Sequence, residues 1–364
     1  MPVDLSLAHR SDTLLFLAVV VYSLAMLGFA AEFSFSRRAG IARALTRADA
    51  ARAATPATAA RAATTATAAR IRQPVAVGGA GGIATGPPPG AGPATVGPHP
   101  PLRSRLDRST TGDHLGRIAV VLTGLAFLLH AGSVVTRGMA AHRVPWGNMY
   151  EYSSMVALVA VAAFLVLLTR ERVRFLGAFV LLFVVLFLGL AGTVLYVPAG
   201  PLVPALQSYW IAIHVAAAIT ASGTFALGAI VTVLYLLRAK YDVLTTTGGR
   251  PRVSSVGRLL PPATTLDRVA YRVHAFAFPL WTFAVIAGAI WAESAWGRYW
   301  GWDPKETWSF ITWVIYAGYL HARATAGWRG RKAAVIALVG FTALTIDYYI
   351  VNIFLVGLHS YAGV

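Results

Sequence analysis

The sequence predicts an all-α, polytopic membrane protein with about eight transmembrane helices. Three observations carry this reading. Hydrophobic residues make up 57% of the 364 and charged residues only 12%, with a mean hydropathy of +0.63. Eight apolar runs approach the roughly 20 residues that a helix needs to cross a hydrocarbon core of about 30 Å. The basic residues are sorted between alternate connections rather than spread along the chain. In lipid only a helix satisfies its own backbone over such a run; barrel strands would be half as long and would alternate.

The runs lie near Thr13 to Ala30, Leu115 to Val135, Tyr150 to Thr169, Phe175 to Val197, Tyr209 to Leu237, His274 to Ala292, Thr307 to Arg323 and Ala333 to Phe354. The first is followed directly by Arg37 and Arg38 and has a weakly positive start, which reads as an uncleaved first span (residues 1–35) rather than a signal peptide. Residues 36–114 are Ala, Thr, Pro and Gly with scattered Arg, including GGAGG and GPPPGAGP. So few large apolar side chains cannot offset the entropy of ordering, and a disordered cytoplasmic linker is expected there. Residues 115–364 form the expected seven-helix core.

Basic side chains collect in cytoplasmic connections. Ser36 to Arg117, Arg170 to Arg174, Arg238 to Arg272 and Arg323 to Lys332 together hold 26 of the 31 Lys and Arg. Both termini, and the connections around Trp146, Pro201 and Trp300, are therefore expected outside the cell membrane. In a soluble protein a net charge of +17 would suggest nucleic acid; here topology accounts for it, and no nucleic-acid partner is expected. The absence of cysteine excludes disulfides and any thiol chemistry of the chain's own.

Six of the ten tryptophans fall between Trp291 and Trp313. An interfacial belt accounts for one or two at each helix end. Trp296, Trp300, Trp302 and Trp308, interleaved with Gly297 and Gly301, instead suggest a flat platform on the outer face for a large planar apolar ligand. Within it Asp303-Pro304-Lys305-Glu306 reads as a helix start, with Asp303 at the N-cap, Pro304 at N1 and Glu306 closing a capping box. Asp303 and Glu306 are accordingly structural rather than a catalytic carboxylate pair, and no catalytic residue is assigned.

Three histidines gain interest by position. His214, about a turn into the fifth span, and His359, just past the eighth, both reach the membrane face that carries the Trp loop. Two neutral imidazoles flanking an aromatic plate are what bis-axial ligation of haem iron requires, whereas a lone histidine at a helix end is commonly satisfied by solvent or backbone. His321 lies about 26 Å along the helix from Pro304, near the inner end of the seventh span, and if it ligates iron its partner comes from another subunit. His274 also lies toward the inner side; His130 reads as a buried hydrogen-bonding residue; Asp347, in the eighth span, is expected to meet a Tyr hydroxyl or line a polar cavity.

WGRYWGWDPKETW with SFITWVIYAGYLHAR, together with VPWGNMYEY, LVPALQSYWIAIHV and VNIFLVGLHSYAG, closely resembles the tryptophan-rich WWD signature of the CcsA/ResC cytochrome c biogenesis family, often labelled CcsB in actinobacteria. The resemblance covers roughly Leu115 to Val364. It implies a haem-handling subunit of a cytochrome c synthetase, or haem lyase, that works with a ResB-like partner to present haem b outside for thioether attachment to a CXXCH apocytochrome c. It further implies that His214 and His359 ligate an external haem iron, that His321 ligates a transmembrane one with the partner's help, and that a thioredoxin-like protein keeps the acceptor thiols reduced. Two other readings remain open on the residues alone: a b-type cytochrome that carries electrons, and a transporter of another hydrophobic substrate.

Overall fold

The computed structural model describes residues 2–35, 103–171, 173–201, 208–248 and 254–359. Most of the expected linker, residues 36–114, and the segment just after Pro201 lie outside the described residues. Among the described residues every regular element is helical: α1 (Leu5–Phe35), α2 (Arg103–Ala141), α3 (Met149–Arg170), α4 (Gly177–Val194), α5 (Tyr209–Thr246), α6 (Ser254–Leu259), α7 (Ala263–Trp296), α8 (Pro304–Ala324), α9 (Arg331–Thr345) and α10 (Val351–Phe354). A π-helical turn, Ile346–Ile350, joins α9 to α10 and makes them one long element.

Seven of these helices are long and apolar enough to cross a membrane, which makes the chain a polytopic helical membrane protein. The seventh expected span, α8, has the length at 21 residues but not the apolarity. Its ends carry Lys305, Glu306, His321 and Arg323, and its middle is rich in Trp, Tyr, Gly and Thr. That composition sets it apart from the seven apolar helices. By contrast Phe16, Val121, Leu128 and Leu186 are about two-thirds exposed, as side chains facing hydrocarbon would be.

The helix α5 is the centre of the bundle. It packs along most of its length on α7, and also on α3 and α9. Small residues make this approach close: a Cβ on Gly223 would sit 2.8 Å from the Val156 carbonyl. The helix ends are pinned by arginines. At the end of α2, Arg137 and Arg143 both donate to the fully buried Glu151 of α3, at 2.8 and 2.7 Å, and reach on to the carbonyls of Val197 and Gly200. At the opposite end of the bundle, Arg323 of α8 holds Asp267 of α7 at 2.7 Å. Paired in this way, the charges avoid the several kcal/mol that an isolated buried ion costs.

Candidate functional site

At one end of the bundle a cavity opens between α5, α7, α8, the start of α3 and the α9–α10 element. On α7 its wall runs from Ala292 down to Trp281, about 16 Å of helix. Trp146, Tyr299 and Trp300 stand at the mouth, while Ala218, Trp281 and Leu344 close the bottom and are buried. The lining is mostly aromatic and aliphatic, with a few polar groups set into it, the usual make-up of a site for a large organic ligand.

Local sequence explains how the mouth is shaped. Gly297 adopts φ 68°, a left-handed conformation that ends α7 after Trp296 at little cost. Asp303 then caps α8: its carboxylate accepts from the Lys305 N–H at 3.1 Å, and Glu306 accepts from the N–H of Asp303 at 3.1 Å and of Gly301 at 2.7 Å. The expected capping box is therefore present. It fixes the loop from both sides, with Arg298 closing an ion pair on Glu306 at 3.1 Å.

His214 and His359 come together on a single indole. The imidazole of His214 lies parallel to Trp291, with ring centres 6.1 Å apart and planes 7° apart; His359 meets Trp291 edge-on at 5.6 Å. Trp291 is 1% exposed, so this contact is fixed by packing. His214 Nδ1 donates to the Ala284 carbonyl at 2.8 Å, and Gly288 leaves room for it, since a Cβ there would sit 2.7 Å from Nδ1. His359 Nδ1 donates to the Asp303 carboxylate at 2.9 Å. In both rings the Nδ1–H is engaged, which assigns the lone pair to Nε2, the arrangement that second-shell acceptors impose on metal-binding histidines.

Electrostatics outside the spans agree. Burial would push the Asp303 carboxyl up, but hydrogen bonds from His359 and from the backbone N–H groups of Leu358 and Lys305 outweigh it and hold Asp303 at about 2. Burial lowers the His359 imidazole, and the Asp303 carboxylate opposes it. Among the described residues no group of three or more His, Asp or Glu converges as a compact ion site would require, so the donor set here is a pair of imidazoles.

A family of sequences described as cytochrome c assembly proteins matches residues 146–359. The cytochrome c biogenesis protein CcsA of Gloeobacter violaceus is 35% identical over 285 residues, covering 66% of this chain and 84% of that protein. The CcsA proteins of Synechocystis sp. and Porphyra purpurea are each 33% identical, covering 68% of this chain and 86% and 88% of their own lengths. The chain belongs to the cytochrome c assembly protein family. The family match begins at Trp146, on the rim of the cavity, and ends at His359, so it spans the whole site.

In this member of the family the tryptophans expected to form one platform divide. Trp300 lines the cavity, and Trp296 packs edge-on against Trp291 and His359 at 4.7 and 4.9 Å. Trp302 does not join them. It takes a left-handed φ of 59°, is 62% exposed, and leans on Trp300 and Phe310. Trp308 is half-buried outside the lining. The indoles that do line the cavity include Trp146, Trp281 and Trp291, which the spacing did not single out. Trp291 and Trp281 lie ten residues apart on α7, close to three turns, and that register was the available signal.

The remaining histidines separate cleanly. His321 is exposed on the last turn of α8. His274 is fully buried, with Nε2 3.2 Å from the Thr232 hydroxyl and the rings of Phe225, Tyr316 and Tyr319 around it. His130 is buried with Nε2 2.9 Å from the Ser154 hydroxyl, the hydrogen-bonding role expected of it. No ring contact joins His130 to His274 among the described residues. Asp347 lines the cavity, as anticipated for a carboxylate within a span.

Proposed function

We propose that this chain, acting in cytochrome c biogenesis, holds haem b in the cavity with His214 and His359 as axial ligands and presents it to a CXXCH apocytochrome c on the outer face of the cell membrane. The single observation that carries the reading is the convergence of these two imidazoles on Trp291, each with its Nδ1–H committed to a protein acceptor. Haem is the substrate of this site. Its flat apolar body suits the Trp and Tyr lining, and its iron suits two neutral Nε2 donors.

The chain's part in thioether formation is positioning. Each thiol S–H adds across a vinyl C=C, the sulfur bonding to one carbon and the hydrogen going to the other, with no net electron transfer. Holding the vinyl groups where two thiols arrive removes the entropic cost of a bimolecular encounter. With no cysteine of its own, the chain leaves thiol reduction to a separate thioredoxin-like protein. His321, exposed at the other end of α8, is suited to sharing a second iron with a histidine of a ResB-like subunit. A b-type electron carrier would require a histidine pair within the bundle, and the two buried histidines described above each meet a hydroxyl through Nε2 and make no ring contact with one another among the described residues.

The test is the absorption spectrum of the purified protein. Wild type is expected to show bis-histidine haem bands, and His214→Ala combined with His359→Ala is expected to abolish them and the c-type cytochromes of the cell. Unchanged bands in the double variant would refute the assignment.

A further inference from the structure

The cavity wall carries a polar pair that neither histidine uses. Lys305, the second residue of α8, is the only Lys or Arg among the described lining residues. Its ammonium donates to the Asp347 backbone carbonyl at 3.0 Å and lies 4.9 Å from the centre of the Tyr348 ring. No ion pair within 4 Å satisfies it among the described residues, and an ammonium has three N–H donors. Two of these remain for a ligand.

Beside it stands Asp347, 3% exposed, whose Oδ1 has no hydrogen-bond partner although it is buried in the lining. Asp347 is carried by the π-helical turn, a local widening that is found frequently at functional sites because it re-aims side chains. The cavity thus has an aromatic body, one cationic group with spare donors in its wall, and a buried carboxyl group beside that cation. Such a wall accepts a single carboxylate arm of a planar ligand and disfavours a second at the same place.

We propose that Lys305 seats one propionate carboxylate of haem and that Asp347 keeps the second propionate from the same seat. The proposal rests on the haem reading above and adds a recognition element for the carboxylate arms of the substrate.

The experiment titrates the purified full-length protein with haem and with haem dimethyl ester, which keeps the iron, the ring and the vinyl groups but removes both negative charges. Wild type is expected to bind the diacid at least tenfold more tightly than the ester, the magnitude of one charge-assisted hydrogen bond. Lys305→Gln is expected to bind both at the level of the ester, and Lys305→Arg to restore part of the preference. Asp347→Asn is expected to tighten diacid binding and leave ester binding unchanged. Equal affinities in wild type, or a full preference retained in Lys305→Gln, overturn the proposal, and weaker diacid binding in Asp347→Asn overturns the part given to Asp347. The wild-type comparison needs no variant to fold. Binding of either porphyrin that persists in the His214→Ala and His359→Ala double variant would instead refute the haem site itself.

Discussion

The two ends of α8 handle histidine in opposite ways. At its start, His214 from α5 and His359 from beyond α10 meet on one buried indole, each anchored through Nδ1 by a carbonyl or a carboxylate. At its end, His321 is exposed, while His274 of α7 is enclosed by Phe225, Tyr316, Tyr319 and Thr232. At one end two imidazoles with anchored Nδ1 atoms converge within a single chain. The other offers one exposed imidazole and one buried ring whose Nε2 meets a hydroxyl. Under the proposed function the first is a site this chain completes alone, and a second donor at the other end would come from another molecule.

The sharpest way to break the comparison uses two glycines. A Cβ on Gly288 would lie 2.7 Å from His214 Nδ1, and one on Gly228 would lie 2.6 Å from the His274 ring. Both Gly288→Ala and Gly228→Ala should cost roughly 1–3 kcal/mol through overpacking, read as a lower midpoint of thermal unfolding in detergent. Only Gly288→Ala should also diminish the haem bands. Equal spectral losses in the two variants would show that the outer site is not distinct.

A smaller effect is expected from Asp303→Asn. The change weakens an N-cap, which costs about 1 kcal/mol, and removes the anionic acceptor of His359. Because the folded carboxyl is held at about 2, below the ordinary value of 3.8, it adds stability that is fully present above the ordinary value. That stability is lost as the pH falls through about 2. Wild type should therefore lose stability relative to Asp303→Asn between about pH 4 and pH 2, as monitored by unfolding at stepped pH. Parallel pH profiles would contradict the arrangement seen here.

The smallest effect should come from His321→Ala. An exposed side chain away from packing changes stability by no more than about 0.5 kcal/mol, and the spectrum of the outer site should not move. A large loss of either in the isolated chain would mean that the inner histidine already has a partner within the bundle.

Much of this architecture was legible in the sequence because lipid enforces simple rules. Run length locates the apolar helices, and the alternation of basic connections puts His214 and His359 at the same end of the bundle. The capping box was readable for the same reason, since its contacts span only a few residues. What was hidden depends on contacts distant in sequence. Trp302 turns out of the platform through a left-handed backbone that spacing does not reveal, whereas Trp291 and Trp281 turn inward because of the register of α7 against α5. Lys305 was masked by its neighbours' capping role; its partner, the carbonyl of Asp347, lies 42 positions away. The seventh expected span has the right length, yet its aromatic and polar content sets it apart from the seven apolar helices, a distinction that counting alone blurs.

Asp303 performs two tasks with one carboxylate. Oδ1 accepts from Lys305 N–H and from His359, and Oδ2 from the N–H of Leu358, so the same charge that begins α8 also tethers the irregular stretch after α10. The tail's grip and the helix's first turn are thus a single mechanical joint: whatever unravels one frees the other. A molecule that pried His359 loose would at the same stroke unsettle the base of the tryptophan loop.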